Sequence, residues 1–391
     1  MRKERKGIYV HIPFCARKCE YCDFLSMAAD AQTQRSYMKA LTEQLRLYAR
    51  ETRGTLFDSL YIGGGTPSLL ALPLIEPILQ VLAQDYQWRS GAEKSIEVNP
   101  GSIDRQKAQA YRHYGLNRIS MGAQSMQERE LRLLGRIHDA AAVRDSLRIV
   151  REAGFDNVNI DLMYALPGQS PATFMQTLEE IIALEPEHIS AYSLIIEEET
   201  PFFVLYEEDE RRRSQGRRPK ALPTEEEERE MAAQTKRRLA AAGFEQYEVS
   251  NYARPGFRCR HNYDCWRLQE YLGIGLGASG FWQGYRFRQP SDMATYLETA
   301  AQIGLSGVRD RQACTKQSLQ EEFMFLGLRL NEGVSLRDFA ERFGEEAKEV
   351  YGRQLHKLTA DGLIEISGDR LRLTESGCDI SSFVLAHFLQ D

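Results

Sequence analysis

Short apolar runs alternate with longer amphipathic segments through the first half of the chain. The runs fall at Ile8–Ile12, Ser59–Ile62, Ser95–Val98, Arg118–Met121, Val158–Met163 and His188–Ile195. Between them lie Thr33–Arg50, Leu72–Tyr86, Ile103–Tyr114, Ala140–Ala153 and Pro171–Leu184, all of helical character. Strands alternating with helices imply βαβ units and a parallel sheet, and six units predict a partial (β/α)6 barrel.

Polar residues collect where each strand ends. A cysteine loop follows the first run and Gly63-Gly64-Gly65-Thr66-Pro67 the second; Glu97-Val98-Asn99, Gln124-Ser125, Asp161 and Ser193 close the rest. Parallel strands all point one way, so these groups converge on the rim where barrel active sites are built. Residues 1–205 are read as this barrel.

Beyond Leu205 the pattern changes. Glu207–Glu210, Arg211–Arg213 and Glu225–Glu228 form mixed charge blocks, read as a solvated loop leading into a helix at Glu226–Ala242. A strand is expected at Phe244–Ser250, and the glycines Gly273, Gly275, Gly277 and Gly280 predict a close-packed strand and turn. Residues 206–311 thus form a small α+β extension. From 312 to 391 come helical patterns at Ser318–Leu330, Ser335–Phe343 and Glu346–Asp361, then a hairpin through Leu363–Ile366 and Leu371–Leu373. Helices followed by a hairpin predict a winged-helix-like domain. From Thr315 onward the chain has nine Lys and Arg against fourteen Asp and Glu, which argues against nucleic acid.

Composition is that of a globular protein, 42% hydrophobic and 27% charged with net charge −6. The basic start, Met1–Gly7, lacks a following apolar segment, and no run is long enough to span a membrane. Seven cysteines, three of them clustered, fit metal binding in a reducing cytoplasm better than a disulfide framework.

The cluster is Cys15-x3-Cys19-x2-Cys22, on the loop that leaves the first strand after Pro13. Three thiolates can hold an iron–sulfur cluster with one iron left open for a chelating ligand. A zinc site completed by His11, or three unrelated thiols, are the other readings of these residues.

The spacing, with Tyr21 before the last cysteine, resembles the signature of the radical S-adenosylmethionine (SAM) superfamily. The flanking Tyr9-x-His11-Ile12-Pro13-Phe14-Cys15 is similar to the branch holding oxygen-independent coproporphyrinogen III dehydrogenase and the HemW-type haem chaperones. The resemblance implies a [4Fe–4S] cluster on Cys15, Cys19 and Cys22, and SAM as its ligand. It places Tyr9, Gly64, Gly65, Thr66 and Glu97 at the SAM. Residues matching Tyr21, Gln124, Arg136 and Asp161 contact a second SAM in the dehydrogenase.

Three departures separate this chain from the dehydrogenase. Phe24 stands where that enzyme has a further cysteine, only eight residues precede Tyr9, and His261-Asn262-Tyr263-Asp264-Cys265-Trp266 resembles the chaperone motif His-Asn-x-x-Tyr-Trp. The resemblance implies haem as cargo, with His261, Cys265 and Trp266 as candidate contacts. It also implies a haem-acceptor protein and, if SAM is cleaved, an electron donor such as flavodoxin or ferredoxin. Coproporphyrinogen dehydrogenation and a non-catalytic interaction protein are the alternatives.

Overall fold

In the computed structural model, which describes residues 4–308 and 310–389, six parallel strands run in sequential order. They are β1 (Lys6–Ile12), β2 (Leu56–Gly64), β3 (Gln87–Val98), β4 (Arg118–Gln124), β5 (Val158–Tyr164) and β6 (His188–Ser193). The helices between them are α1 (Ala31–Glu51), α2 (Leu72–Gln84), α3 (Arg105–His113), α4 (Glu128–Leu133), α5 (Ala140–Glu152) and α6 (Pro171–Ala183). Side-chain caps start several of these: Asp30, Asp104 and Asp139 each accept from a backbone N–H in the first turn. The short helix α4 was not expected from the sequence pattern.

Alternation along the strands explains both the core and the site. Ile8, Val10 and Ile12 of β1, Leu60 and Ile62 of β2, and Ile96 and Val98 of β3 face the helices and are essentially fully buried. Ile119 and Met121, Ile160 and Leu162, and Ile189 and Ala191 continue this outer layer. Every second residue therefore points into the barrel, and those positions carry Tyr9, Tyr61, Glu97, Asp161 and Tyr192.

Two helices follow the barrel strands, α7 (Pro201–Ser214) and α8 (Glu225–Ala241). The former corrects the expectation of a solvated loop through the charge blocks. Thr200 caps it, Pro201 begins it, and Glu208–Arg211 and Glu210–Arg213 pair one turn apart. Asp209, read as part of a solvated block, is 4% exposed and accepts the backbone N–H groups of Lys220, Ala221 and Leu222. Of the expected strand at 244–250 only β7 (Glu245–Gln246) forms; β8 (Asn251–Ala253) follows beyond it, and the two pair antiparallel and extend the sheet beyond β6.

The short helix α9 (Arg260–Trp266) leads into β9 (Glu270–Ile274), which pairs parallel with β1. Antiparallel β10 (Ser279–Trp282), β11 (Tyr285–Arg288) and β12 (Gln312–Ala313) then complete a twelve-stranded sheet, with α10 (Met293–Thr299) between the last two. The glycine-rich stretch is a tight strand–turn–strand: a Cβ on Gly273 would lie 2.0 Å from the Ser279 carbonyl. Helices α11 (Lys316–Gly327), α12 (Leu336–Phe343) and α13 (Ala347–Ala360) pack with a small sheet. Its strands are β13 (Val334–Ser335), β14 (Ile364–Ser367) and β15 (Arg370–Leu373), and α14 (Glu375–Asp379) and α15 (Ser381–Ala386) follow. This winged-helix-like unit has its own core around Phe339, Tyr351 and Phe388. The first three residues of the basic N-terminal run lie outside the described residues.

Candidate radical SAM site

The cysteine loop leaves β1 and is pinned at both ends. Cys15 N–H donates to the Met27 carbonyl at 3.0 Å, and Glu20 N–H to the Leu134 carbonyl at 3.2 Å. No cysteine is in a disulfide, and all three loop thiols are partly exposed. Cys15 Sγ lies 3.6 Å from Thr66 Oγ1, and Arg136 donates toward Cys19 Sγ at 3.6 Å. Thiols flanked by a hydroxyl and a guanidinium fit an iron–sulfur cluster, whose sulfurs take hydrogen bonds from such neighbours.

His11 is not available as a fourth ligand for zinc. Its Nε2 meets the Leu25 carbonyl at 2.9 Å and its Nδ1 the Tyr9 hydroxyl at 2.9 Å. The carbonyl only accepts, so Nε2 carries a proton, and both ring nitrogens are engaged. Burial lowers its pKa.

The glycine run after β2 is shaped by close approach. A Cβ on Gly63 would sit 2.9 Å from the Glu97 carboxylate, and one on Gly65 would meet the Phe14 backbone at 2.7 Å. Gly64 has φ +119°, and a Cβ there would strike the His11 ring at 2.7 Å. Thr66 N–H donates to the Phe14 carbonyl at 2.7 Å, so the hydroxyl is fixed beside Cys15.

Glu97 accepts from the Gly64 N–H at 3.0 Å. Burial pushes its pKa up to about 7, and the nearby Asp161 carboxylate adds to the rise. Burial raises Asp161 too, against hydrogen bonds from Ser190 and Asn159; Asn159 Nδ2 reaches it at 2.7 Å. Two half-buried carboxylates crowded at the rim make a place for a cationic ligand, which would restore their charge.

Arg136 ties the rim together. It donates to Asn99 Oδ1 at 2.9 Å and to the Gly122 carbonyl, as well as toward Cys19. Asn99 in turn donates to Thr66 Oγ1 at 2.8 Å. A chain Cys15–Thr66–Asn99–Arg136–Cys19 thus brackets the thiols. Asn99 is the residue that the sequence reading passed over as a site member, although it stood at a strand end beside Glu97.

Gln124 ends β4 in the left-handed region, φ +67°, at a register shift between β4 and β5. Its Oε1 accepts from the Tyr192 hydroxyl at 2.8 Å. Tyr21 packs on Phe202 of α7, and burial raises its pKa against the pull of Arg136. Tyr9 stacks on Tyr61 with ring centroids 6.4 Å apart, deeper in the barrel. Nine of the ten SAM- and cluster-contact candidates outside the glycines thus lie on or just beneath one rim, with Tyr9 below them.

The three haem candidates do not share that rim. His261 is 6% exposed beneath the barrel, its Nδ1 3.1 Å from Ser59 Oγ and its ring stacked on Tyr61 at 5.6 Å. Burial lowers its pKa to about 4. Burial pushes the Cys265 thiol up to about 12. Trp266, at the other end of α9, lines an open cleft against the C-terminal domain. Among the described residues no three His, Cys, Asp or Glu side chains are grouped so as to hold a metal ion.

A parallel partial barrel with three loop cysteines and a glycine–glutamate pair at one rim defines a radical SAM protein, and the family models agree. Residues 9–181 match the Radical SAM superfamily, and residues 315–380 match the HemN C-terminal domain. Curated relatives called heme chaperone HemW align along nearly the whole chain. That of Lactococcus lactis is 34% identical over 100% of this chain and 99% of its own length, and that of Bacillus subtilis 32% over 98% and 99%. The chain belongs to the HemW family of the radical SAM superfamily. The solved coproporphyrinogen III oxidase HemN from Escherichia coli shares the fold at TM-score 0.83 and 23% identity, covering 99% of this chain and 90% of that one.

Proposed function

We propose that this protein is a haem chaperone, which binds haem and passes it to an acceptor protein. The similarity to chaperones of the HemW name over the full length of the chain carries this reading. Cys15, Cys19 and Cys22 would hold one [4Fe–4S] cluster, and Gly64, Gly65, Thr66 and Glu97 an exchangeable SAM. When bound, these groups supply an electron and a sulfonium that it can cleave.

The chain's own residues supply position and charge. The glycines leave room for a ligand against the β2 backbone, and Thr66 and Arg136 orient the loop thiols. Glu97 and Asp161, both raised in pKa by burial, would meet the positive charge of the ligand and favour their ionised forms as it enters. Gln124, Arg136, Asp161 and Tyr21 would contact a second SAM only if one binds. A flavodoxin- or ferredoxin-like donor is needed only if SAM is cleaved. Oxygen-sensitive chemistry and unpaired cysteines suit the cytoplasm. We also read residues 1–205, 206–311 and 312–391 as the working divisions of the chain.

The test is anaerobic. Protein with a reconstituted cluster is titrated with haem and then mixed with a haem-free acceptor, and the Soret band is followed on both. Stoichiometric uptake and transfer are expected. Conversion of coproporphyrinogen III to protoporphyrinogen IX, without haem uptake, would overturn the chaperone reading.

A further inference from the structure

Resting on the reading of Glu97 as a SAM contact, we infer that Arg118 is a positioning residue for that site. It is a fixed positive charge on the floor of the barrel that readies Glu97 and Asp161, above it, for a cationic ligand.

Arg118 begins β4, with its side chain on the lumen face, and is 1% exposed. Its register partner on β3 is Ser95, and two residues further along Ser120 stands beside Glu97. Two residues beyond that, Gly122 pairs with Asp161 of β5. Two residues of strand rise by roughly 7 Å, so Arg118 is rooted one layer beneath Glu97 and two beneath Asp161. The lumen positions between them carry Ser95, Ser120, Asn159 and Ser190, none of which bears a charge.

The guanidinium is not committed to any one neighbour. Its Nε and Nη1 are buried without a hydrogen-bond partner among the described residues, as is Ser95 Oγ. It cannot give up its proton to escape burial, so its charge stays. Glu93, two residues before Ser95, attracts it across the floor. That carboxylate is engaged elsewhere: its Oε1 accepts from the backbone N–H groups of Arg260 at 2.8 Å and His261 at 3.4 Å. Glu93 therefore shares the cation without capturing it, and the field of Arg118 extends up the lumen.

The carboxylates above feel that field. Burial raises Glu97, and Asp161 adds to the rise; the Gly64 N–H, Tyr61 and Arg118 oppose it. Burial raises Asp161 too, against its hydrogen bonds and then against Arg118 and Arg136. Arg136 is at the rim, where it donates to Asn99, to the Gly122 carbonyl and toward Cys19. The other titratable groups facing the lumen are Tyr9 and His11 of β1, Tyr61 of β2, and His188 and Tyr192 of β6, with Tyr247 and Cys259 beneath. Burial raises the tyrosines and the thiol and lowers the histidines, which favours the neutral form of each. Arg118 thus weakens the hold of a proton on the two carboxylates, yet lies too deep to repel a cation at the rim as strongly.

The experiment measures SAM affinity by anaerobic calorimetry on the full-length, cluster-loaded protein, from about pH 6 to about pH 9. Binding to wild type should tighten with a midpoint at about 7, and Glu97→Gln should remove the step. Arg118→Met and Arg118→Gln should move the midpoint up by about half to one pH unit, giving about two- to fivefold weaker binding at about pH 7 and no loss at about pH 9. Arg118→Lys should restore the wild-type midpoint. Iron content and circular dichroism establish that each variant keeps its cluster and fold, and two neutral replacements guard against one that folds poorly. An unmoved midpoint in the neutral variants, equal weakening at every pH, or a lysine variant that behaves like the neutral ones would overturn the role of Arg118 and leave the Glu97 reading in place. If wild type and Glu97→Gln bind SAM alike, both fall.

Discussion

The Gly64 N–H donates to Glu97 Oε2 at 3.0 Å, so the end of β2 holds the carboxylate that the end of β3 presents. The same glycine lies against His11 of β1, at φ +119°. Three neighbouring strands therefore meet at one residue without a side chain.

SAM affinity should depend on pH through Glu97. Its pKa is raised to about 7, first by burial and then by Asp161, so below that value the cation must displace a proton. Affinity measured by calorimetry should rise from about pH 6 to about pH 8, and Glu97→Gln should flatten the profile and weaken binding by roughly tenfold or more. The sign for the empty protein is the opposite. Between the ordinary carboxylate range and about 7 the folded state keeps a proton that the unfolded state releases, so this group lowers thermal stability as pH rises through that window. A melting temperature that rose there only through Glu97 would contradict the assignment.

Gly64→Ala should damage both fold and site. The new Cβ would need the left-handed backbone and would collide with the His11 ring. A loss of about 2 kcal/mol in stability is expected, read by chemical denaturation, together with loss of SAM binding. Gly91→Ala also has a positive φ but has nothing within 4 Å of its Cβ, and makes the control for backbone strain alone.

Cys19→Ser should abolish the cluster and leave a folded chain. The loop is pinned by backbone bonds from Cys15 and Glu20, not by thiols. Iron and sulfide analysis after reconstitution should fall to near zero while the far-ultraviolet spectrum is unchanged. A full iron complement would reassign the ligands.

Asp209→Ala should loosen the segment between α7 and α8. Burial opposes the charge on Asp209, but the three N–H groups it accepts outweigh that and hold its pKa below the usual carboxylate range. Removing it should cost about 3 kcal/mol and open residues 215–224 to protease. In the parent chain this contribution is present above the ordinary carboxylate pKa and is lost as pH falls toward the lowered one, so acid should produce the same cleavage.

The barrel was legible in the sequence because both of its signals are local. Apolar alternation placed each of the six strands, and the strand-end residues Cys15, Gly64, Glu97, Gln124 and Asp161 named the rim before its geometry was known. What sequence did not show depended on distant partners. Asn99 matters because Thr66 and Arg136 converge on it, and Asp209 because a loop eleven residues later folds back on it. Helix α7 was hidden by its charges, which read as solvated until their pairing within the helix is counted. His261 was legible as a motif member, but its burial under Tyr61 follows from how α9 packs beneath β2, and no local pattern encodes that.

Strand β1 carries the lead into the cysteine loop, yet it is flanked by β2 on one side and by β9 on the other. Its pairing with Glu270–Ile274 spans 264 residues of chain from Lys6. During synthesis the first strand must therefore wait, one edge unpaired, until about two-thirds of the polypeptide has left the ribosome. Closing so long a loop is slow, and an open edge invites pairing with other chains. The order of assembly follows: a cluster inserted early would sit on a strand not yet fixed in place, so maturation of the metal centre belongs after the arrival of β9. Expression at reduced translation rate, or with a holding chaperone that shields the edge, is where the yield of cluster-competent protein should respond most.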